Sequence, residues 1–506
     1  MIIPLGEWLP DLPVLNNPGL TVCTNVFPGP GGAYTPVPGL TAAGSQSAIG
    51  AINNGFYARD AANNTYTYAG DSSALYVQVG QTFNVATRLS VSNSAVVAYN
   101  VDAADCWEFV SWGQTVIAVD GLNDVPQQIS LGAAHFANLT GAPKARHIAV
   151  IKDFVVLGNV SDSAANVQRV RWSGINNSAA WSVDATTLAD FQDLPGNGGW
   201  VQKIISGEQG YVFQERAIWR MTFVGSPLIF QFDKIHDGIG AYAAQGVANY
   251  ENYVFFLASD GFKVFDGSNV TPIGEGKVDA TFLADLDINY IDNIKAVVFP
   301  ELKCVFWAYA GIGNTGGKCN HVMVYSWAYK KWARIDFPAD MGGGGFDTIA
   351  VSSASGYTLE GLDAVSSSLD ALAFSLDSRE WTGGALSFSA WIGTNLYYFT
   401  ATPLDTELAT GDLCLMQIQS GTVMNKAQLN EIWPITQGTD VAVTVAVGHR
   451  ENVRDAITIG NDTAPESAGF VQSHVLSRYH RFIMKTTGDF EQIQGLDVIF
   501  VDAGKR

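Results

Sequence analysis

The chain has 506 residues, 47% hydrophobic and only 15% charged, with 52 glycines and 11% aromatics. That length holds a large ring-like domain plus at least one other, and the glycine and aromatic content favours a turn-rich, all-β protein. A formal charge of -20, with a pI of about 4.6, argues against a partner wrapped through its phosphates, because such a surface repels a polyanion.

No run of 18 apolar residues occurs, so neither a transmembrane helix nor a membrane anchor is expected. The start, MIIPLGEWLPDLP, has no basic n-region, and no signal peptide is expected. Five scattered cysteines, Cys23, Cys106, Cys304, Cys319 and Cys414, read as free thiols made in a reducing compartment.

Residues 1–40 form an extended Pro/Gly-rich arm. Pro4, Pro10, Pro13 and Pro18 deny it both helix and central strand. Trp8, Leu9, Leu12 and Leu15 are its apolar anchors, packed either on their own domain or against a neighbouring subunit. Residues 41–379 read as an irregular β-propeller. Alternating strands flank Asn63-Asn64 near the start, and WEFVSWGQTVIAVDGLNDVPQQISL and RHIAVIKDFVVLGNV follow. Asn176–Pro195 is polar and reads as a surface excursion. The strongest signal is three paired apolar bursts, GYVFQERAIWRMTFVG from Gly210, NYVFFLASDGFKVFDG from Asn252 and KCVFWAYAG…HVMVYSWAYKKWARID from Lys303. Each is a β-hairpin pattern, and spacings of about 40–50 residues are those of four-stranded propeller blades. One hairpin cannot bury both faces of its sheet, so the repetition implies a closed ring. Candidate blade starts fall near residues 55, 110, 147, 210, 252, 303 and 350, giving six or seven blades. Phe282, Leu283 and Leu286 fit a short helix within 279–294. From Glu380 the alternating strands lengthen, and 380–506 reads as a separate antiparallel, sandwich-like domain.

Motifs that could carry chemistry have simpler readings. Gly311-Ile-Gly313-Asn-Thr-Gly316 matches a dinucleotide-binding glycine pattern, but the strand HVMVYSW follows where a helix is required, so a hairpin loop is expected. None of the seven histidines sits in a metalloprotease motif, and no nucleophile elbow occurs. Asp260-Gly261 reads as a tight hairpin turn, and the many Trp and Tyr residues as packing between blades. The expectation is of no catalytic residue, no cofactor and no metal, hence not an enzyme.

Several long blocks resemble tail proteins of short-tailed (podovirus) phages, of the tail nozzle or tail hub type also called tail tubular protein B or DNA-stabilisation protein. They are GEWLPDLPVLNNPG, RHIAVIKDFVVLGN, VRWSGINN, DFQDLP, GEQGYVFQERAIWRMTFVGSPLIFQFD, SDGFKVFDGSNVTPIG and RYHRFIMK, spread over nearly the whole chain. The resemblance implies a β-propeller decorated by a platform domain. It implies six copies forming a tube with the adaptor and portal-side tail proteins, near fibres or tailspikes, through which genomic DNA passes without sequence-specific binding. Such a protein is made in the host cytoplasm and carried in the virion. A conduit gains from an acidic wall that repels the duplex. Asp336, Asp340 and Asp347, around the glycine run Gly342–Gly345, are the expected lumen residues, unless the acidity serves solubility alone. The alternative function is a propeller that binds carbohydrate on the host surface.

Overall fold

The computed structural model describes all residues except 44–49, 63, 80–81, 91, 93, 104, 163, 338–343, 354–385, 422–423 and 505–506. Strands dominate. Among the described residues the α-helical segments are Asp279–Asp285 and Leu415–Ser420. The first of these falls where the sequence suggested a helix.

Six separate four-stranded antiparallel sheets form blades of a propeller ring, and the seventh sector is filled by four strands at one end of a much larger sheet. In chain order the first strands of the seven units are Asn54–Arg59, Glu108–Trp112, Lys144–Ile151, Val201–Ile205, Val247–Tyr250, Lys295–Phe299 and Thr348–Ser353. We number the blades one to seven in that order. Each first strand lies innermost. The aromatic bursts of the sequence are the second and third strands of blades four and five and the second to fourth of blade six, for example Tyr253–Ala258 paired with Gly261–Phe265 across the Ser259-Asp260 turn.

Aromatic side chains fill the gaps between blades, as their abundance suggested. Phe136 of blade two meets Tyr68 of blade one, and the Trp107 ring packs against Gly70 of blade one; Phe213 of blade four meets Phe256 and Phe265 of blade five. Burying each such side chain contributes about 1.5–3 kcal/mol. Gly70 is required by this packing, since a Cβ there would lie 2.1 Å from the Trp107 ring.

The ring closes non-covalently. In blade seven, Thr348–Ser353 pairs with Leu386–Ile392, which pairs with Asn395–Pro403, and the outermost strand is Pro38–Ala42 from the other end of the chain. Two expected boundaries therefore shift. The ring does not end at residue 379 but runs to 403. The end of the 1–40 arm is itself a blade strand. Pro38 is tolerated there because an outermost strand has one unpaired edge.

The rest of the chain builds a curled sheet on blade six. Its order runs from the four strands of that blade through Leu20–Thr24, Thr406–Thr410 and Tyr479–Asp502 to Ala427–Arg450. Leu20–Thr24 is thus an interior strand, against the expectation that residues 1–40 supply none. The segment LTVCT carries no proline, and the prolines around it act only as breakers. The two 24-residue strands pair along their whole length. The Ala427–Arg450 strand nonetheless curls until its ends meet, because Ala427 pairs with Ser477 while Arg450 pairs with Tyr479. The ribbon folds at Gly438 and Gly488, whose φ values are 153° and 86°. Its interior packs Leu429, Ile432, Phe482, Met484, Phe490 and Val498 with Ile3, Leu5 and Trp8 of the N-terminal segment.

Candidate functional site: the axial cleft of the ring

The innermost strand of a blade is paired on one edge only and leaves its other edge on the central cavity. Here the seven first strands enclose a cavity of about 420 Å³, lined among others by Asn54, Glu108, Lys203, Gln245 and Lys295. Two further cavities adjoin it on the face where these strands begin. One, of about 400 Å³, is bordered by Asp105, Arg146, His147, Asn159, Trp200, Glu215, Gln245 and Asp292. The other, of about 150 Å³, is bordered by Asp105, Cys106, Asp292, Lys295, Lys318 and Asp347. Shared walls make them one polar cleft of small-molecule size.

Charge in the cleft is paired in depth. Glu108 is buried, forms an ion pair with Lys203 and stands 3.3 Å from His147 Nδ1. Its Oε2 also accepts from the Ile148 amide at 3.0 Å. Burial works to raise the Glu108 carboxyl, but the Lys203 ammonium and His147 outweigh it and hold the group well below the ordinary glutamate range. Nearer the mouth, Arg146 donates to Asp105. Asp105, Asp292 and Asp347 are all pushed up by burial, against the pull of Arg146 on the first two and of the Gly393 amide on the third. Buried polar atoms in the walls without a hydrogen-bond partner, among the described residues, include both amide atoms of Asn159, Arg146 Nε, His147 Nδ1 and Lys295 Nζ. Asn159 sits at a β-bulge in the pairing of blade three, with φ 55°. Asparagine is one of the few residues that adopts this backbone readily, and a bulge re-aims the side chain it carries.

The lumen aspartates do not form one cluster. Asp347 is at the cleft mouth, where its carboxylate accepts from the Gly393 amide at 2.6 Å. Asp336 ends the outermost strand of blade six, bonded to His321 at 2.7 Å and to Arg334, and is no part of the cleft wall. His321 and Arg334 overcome the effect of burial and hold its carboxyl below the usual range. Asp340 and the first two residues of the Gly342–Gly345 run lie outside the described residues. The arm anchors turn inward. Trp8 is buried in its own chain, while Leu9, Leu12 and Leu15 are half-buried, and Leu15 bridges to Asp412 of the curled sheet. Trp8 therefore cannot reach a neighbouring subunit. The glycine pattern 311–316 is the loop between Cys304–Tyr309 and His321–Ser326, as expected.

Sequence reasoning passed over Glu108, Arg146, Asn159, Lys203 and Lys295. A signal existed: VQKII places a lysine inside an apolar strand and KAVVF places one at its head, which is costly when buried unless the charge is paired or faces a polar cavity.

No family model matches the sequence, and no curated protein matches it. Solved structures that align with this chain include the extracellular domain of a putative one-component system from B. thetaiotaomicron, at 10% identity over 81% of this chain and 46% of that one, with a TM-score of 0.40. The WD40 domain of Neurospora crassa Pan2 shares 9% identity over 72% of this chain and 94% of that one, with a TM-score of 0.38. The extracellular domain of a hybrid two-component system from B. thetaiotaomicron shares 9% identity over 96% of this chain and 62% of that one, with a TM-score of 0.42. The chain spans less than two thirds of both bacterial domains.

Proposed function

We propose that this chain is a structural, non-enzymatic subunit of a short-tailed phage tail, of the nozzle or hub type, assembled as a homo-hexamer below the adaptor and carried in the virion. The observation that carries the reading is where the resembling blocks fall. RHIAVIKDFVVLGN spans the first two strands of blade three; GEQGYVFQERAIWRMTFVGSPLIFQFD spans the last three of blade four; RYHRFIMK opens the long strand Tyr479–Asp502. The likeness therefore runs through the framework of both ring and curled sheet, not through one exposed loop.

The axial cleft of one subunit is lined by side chains and has only the volume of a small-ligand site. A DNA conduit would accordingly run between copies, closed by heterologous contacts. The formal charge of -20 suits a wall that passes a polyanion without gripping it. Mass photometry and electron microscopy of the purified chain mixed with its adaptor ring test the proposal. The expected particle carries six copies of the 54.2 kDa subunit around an open axis. A chain that stays monomeric with the adaptor at micromolar concentration overturns it.

A further inference from the structure

The cleft mouth is built to hold something. We propose that the 400 Å³ chamber between blades two and five is a saccharide-binding site, independent of the tail reading. Four observations converge on that class of ligand.

The first is Asn159. Its residue is only 1% exposed, its amide oxygen and nitrogen both lack partners, and the β-bulge turns it into the chamber. An unpaired buried amide is costly, and a ligand that both donates and accepts removes that cost. The second is Trp200 at the rim, 45% exposed, with the Arg146 guanidinium 5.5 Å from its ring centroid. A half-open indole beside a polar chamber offers a flat surface for the C–H face of a sugar ring. The third is the balance of the lining. Donors from Arg146 and the Asn159 amide face acceptors from Asp105, Glu215 and Asp292. Hydroxyl groups, each both donor and acceptor, match such a mixture, whereas three carboxyls in one wall disfavour a phosphate. The fourth is the absence, among the described residues, of any group of His, Cys, Asp and Glu placed to hold a metal ion, which removes the usual alternative use of clustered acids.

The test uses the full-length protein and four probes: the methyl glycosides of glucose, galactose, N-acetylglucosamine and glucuronic acid. Calorimetry and tryptophan fluorescence are expected to detect at least one of them at millimolar concentration. Trp200→Ala and Asn159→Gly are each expected to weaken it roughly tenfold. Glycine keeps the left-handed backbone that position 159 requires, so that variant folds while losing the amide. If none of the four binds at up to about a hundred millimolar, or if binding keeps its strength in either variant, the proposal is overturned. Neither result bears on hexamer formation, which is measured separately.

Discussion

Glu108 and Lys203, ninety-five positions apart, form a buried ion pair that reaches past the first strand of blade three to tie blade two to blade four. Because Glu108 also accepts from the Ile148 amide and stands 3.5 Å from the Gln245 amide, one carboxylate fastens four consecutive blades at the axis.

Glu108→Gln keeps the shape and leaves Lys203 without its counter-charge, so it is expected to destabilise the fold by about 3–5 kcal/mol, measured by urea denaturation at pH 7. The pH dependence has a definite sign. A carboxyl held below its unfolded value contributes stability that is complete above the ordinary value of 4.5 and is lost as pH falls below it. The variant is therefore expected to lose less stability than the parent between pH 5 and pH 3.

Asp279 behaves in the opposite way. It begins the helix Asp279–Asp285 and accepts from the Phe262 amide at 3.1 Å, and burial pushes its carboxyl up to about 6. Its charge costs stability that grows as pH rises from the ordinary 3.8 to about 6. Asp279→Asn keeps the acceptor and removes the charge. It is expected to stabilise the protein by roughly 1–2 kcal/mol at pH 7.5 and to do almost nothing at pH 3.5. A variant less stable than the parent at pH 7.5 contradicts this.

The N-terminal segment is part of the fold. Trp8→Ala removes a side chain buried against Leu20 and the curled sheet, and should cost about 3–5 kcal/mol. Leu12→Ala, at a half-buried site, should cost under about half as much. Deleting residues 1–20 is expected to give insoluble protein. Soluble monomers with an unchanged melting temperature would show that Trp8 carries no such load.

Gly488 tests the fold in the long ribbon. A Cβ there would sit 2.2 Å from the Asp440 carbonyl oxygen, at a φ of 86°. Gly488→Ala is expected to cost at least about 2–3 kcal/mol, read as a lower melting temperature. A neutral result would mean the ribbon bends without it.

All five cysteines are free, and Cys106, at the cleft mouth, is the one that is not buried. Maleimide should label one thiol per native chain, and Cys106→Ser should abolish it. Labelling of several thiols without denaturant would argue against the burial of the other four.

Much of the ring was legible because the second and third strands of a blade are packed on both faces and read as dense aromatic runs, as in YVFFLA and GFKVF. The first strands were harder to see. VQKII and VANY are short and turn polar side chains to the axis, so the starts assigned at 210, 252 and 303 fell on second strands. The closing strand Pro38–Ala42 was hidden by Pro38 and the prolines before it, and its paired residues are 355–365 positions away. Local patterns carry no information on such pairings. The cleft was illegible for the same reason: its wall gathers residues from all seven first strands, far apart in the sequence.

The seam between Pro38–Ala42 and Asn395–Pro403 also sets the order of events during synthesis. Blade seven gains its last strand from residues that leave the ribosome first, yet its other three strands are complete only after residue 403. At about 5–20 residues per second, the early segment waits roughly 20–70 s for its partner. During that time the ring stands open, with sheet edges that invite pairing with other chains. So non-local a closure also predicts slow folding. Soluble yield should therefore rise when a holdase that covers exposed sheet edges is co-expressed. It should respond far less to changes in the loops between blades.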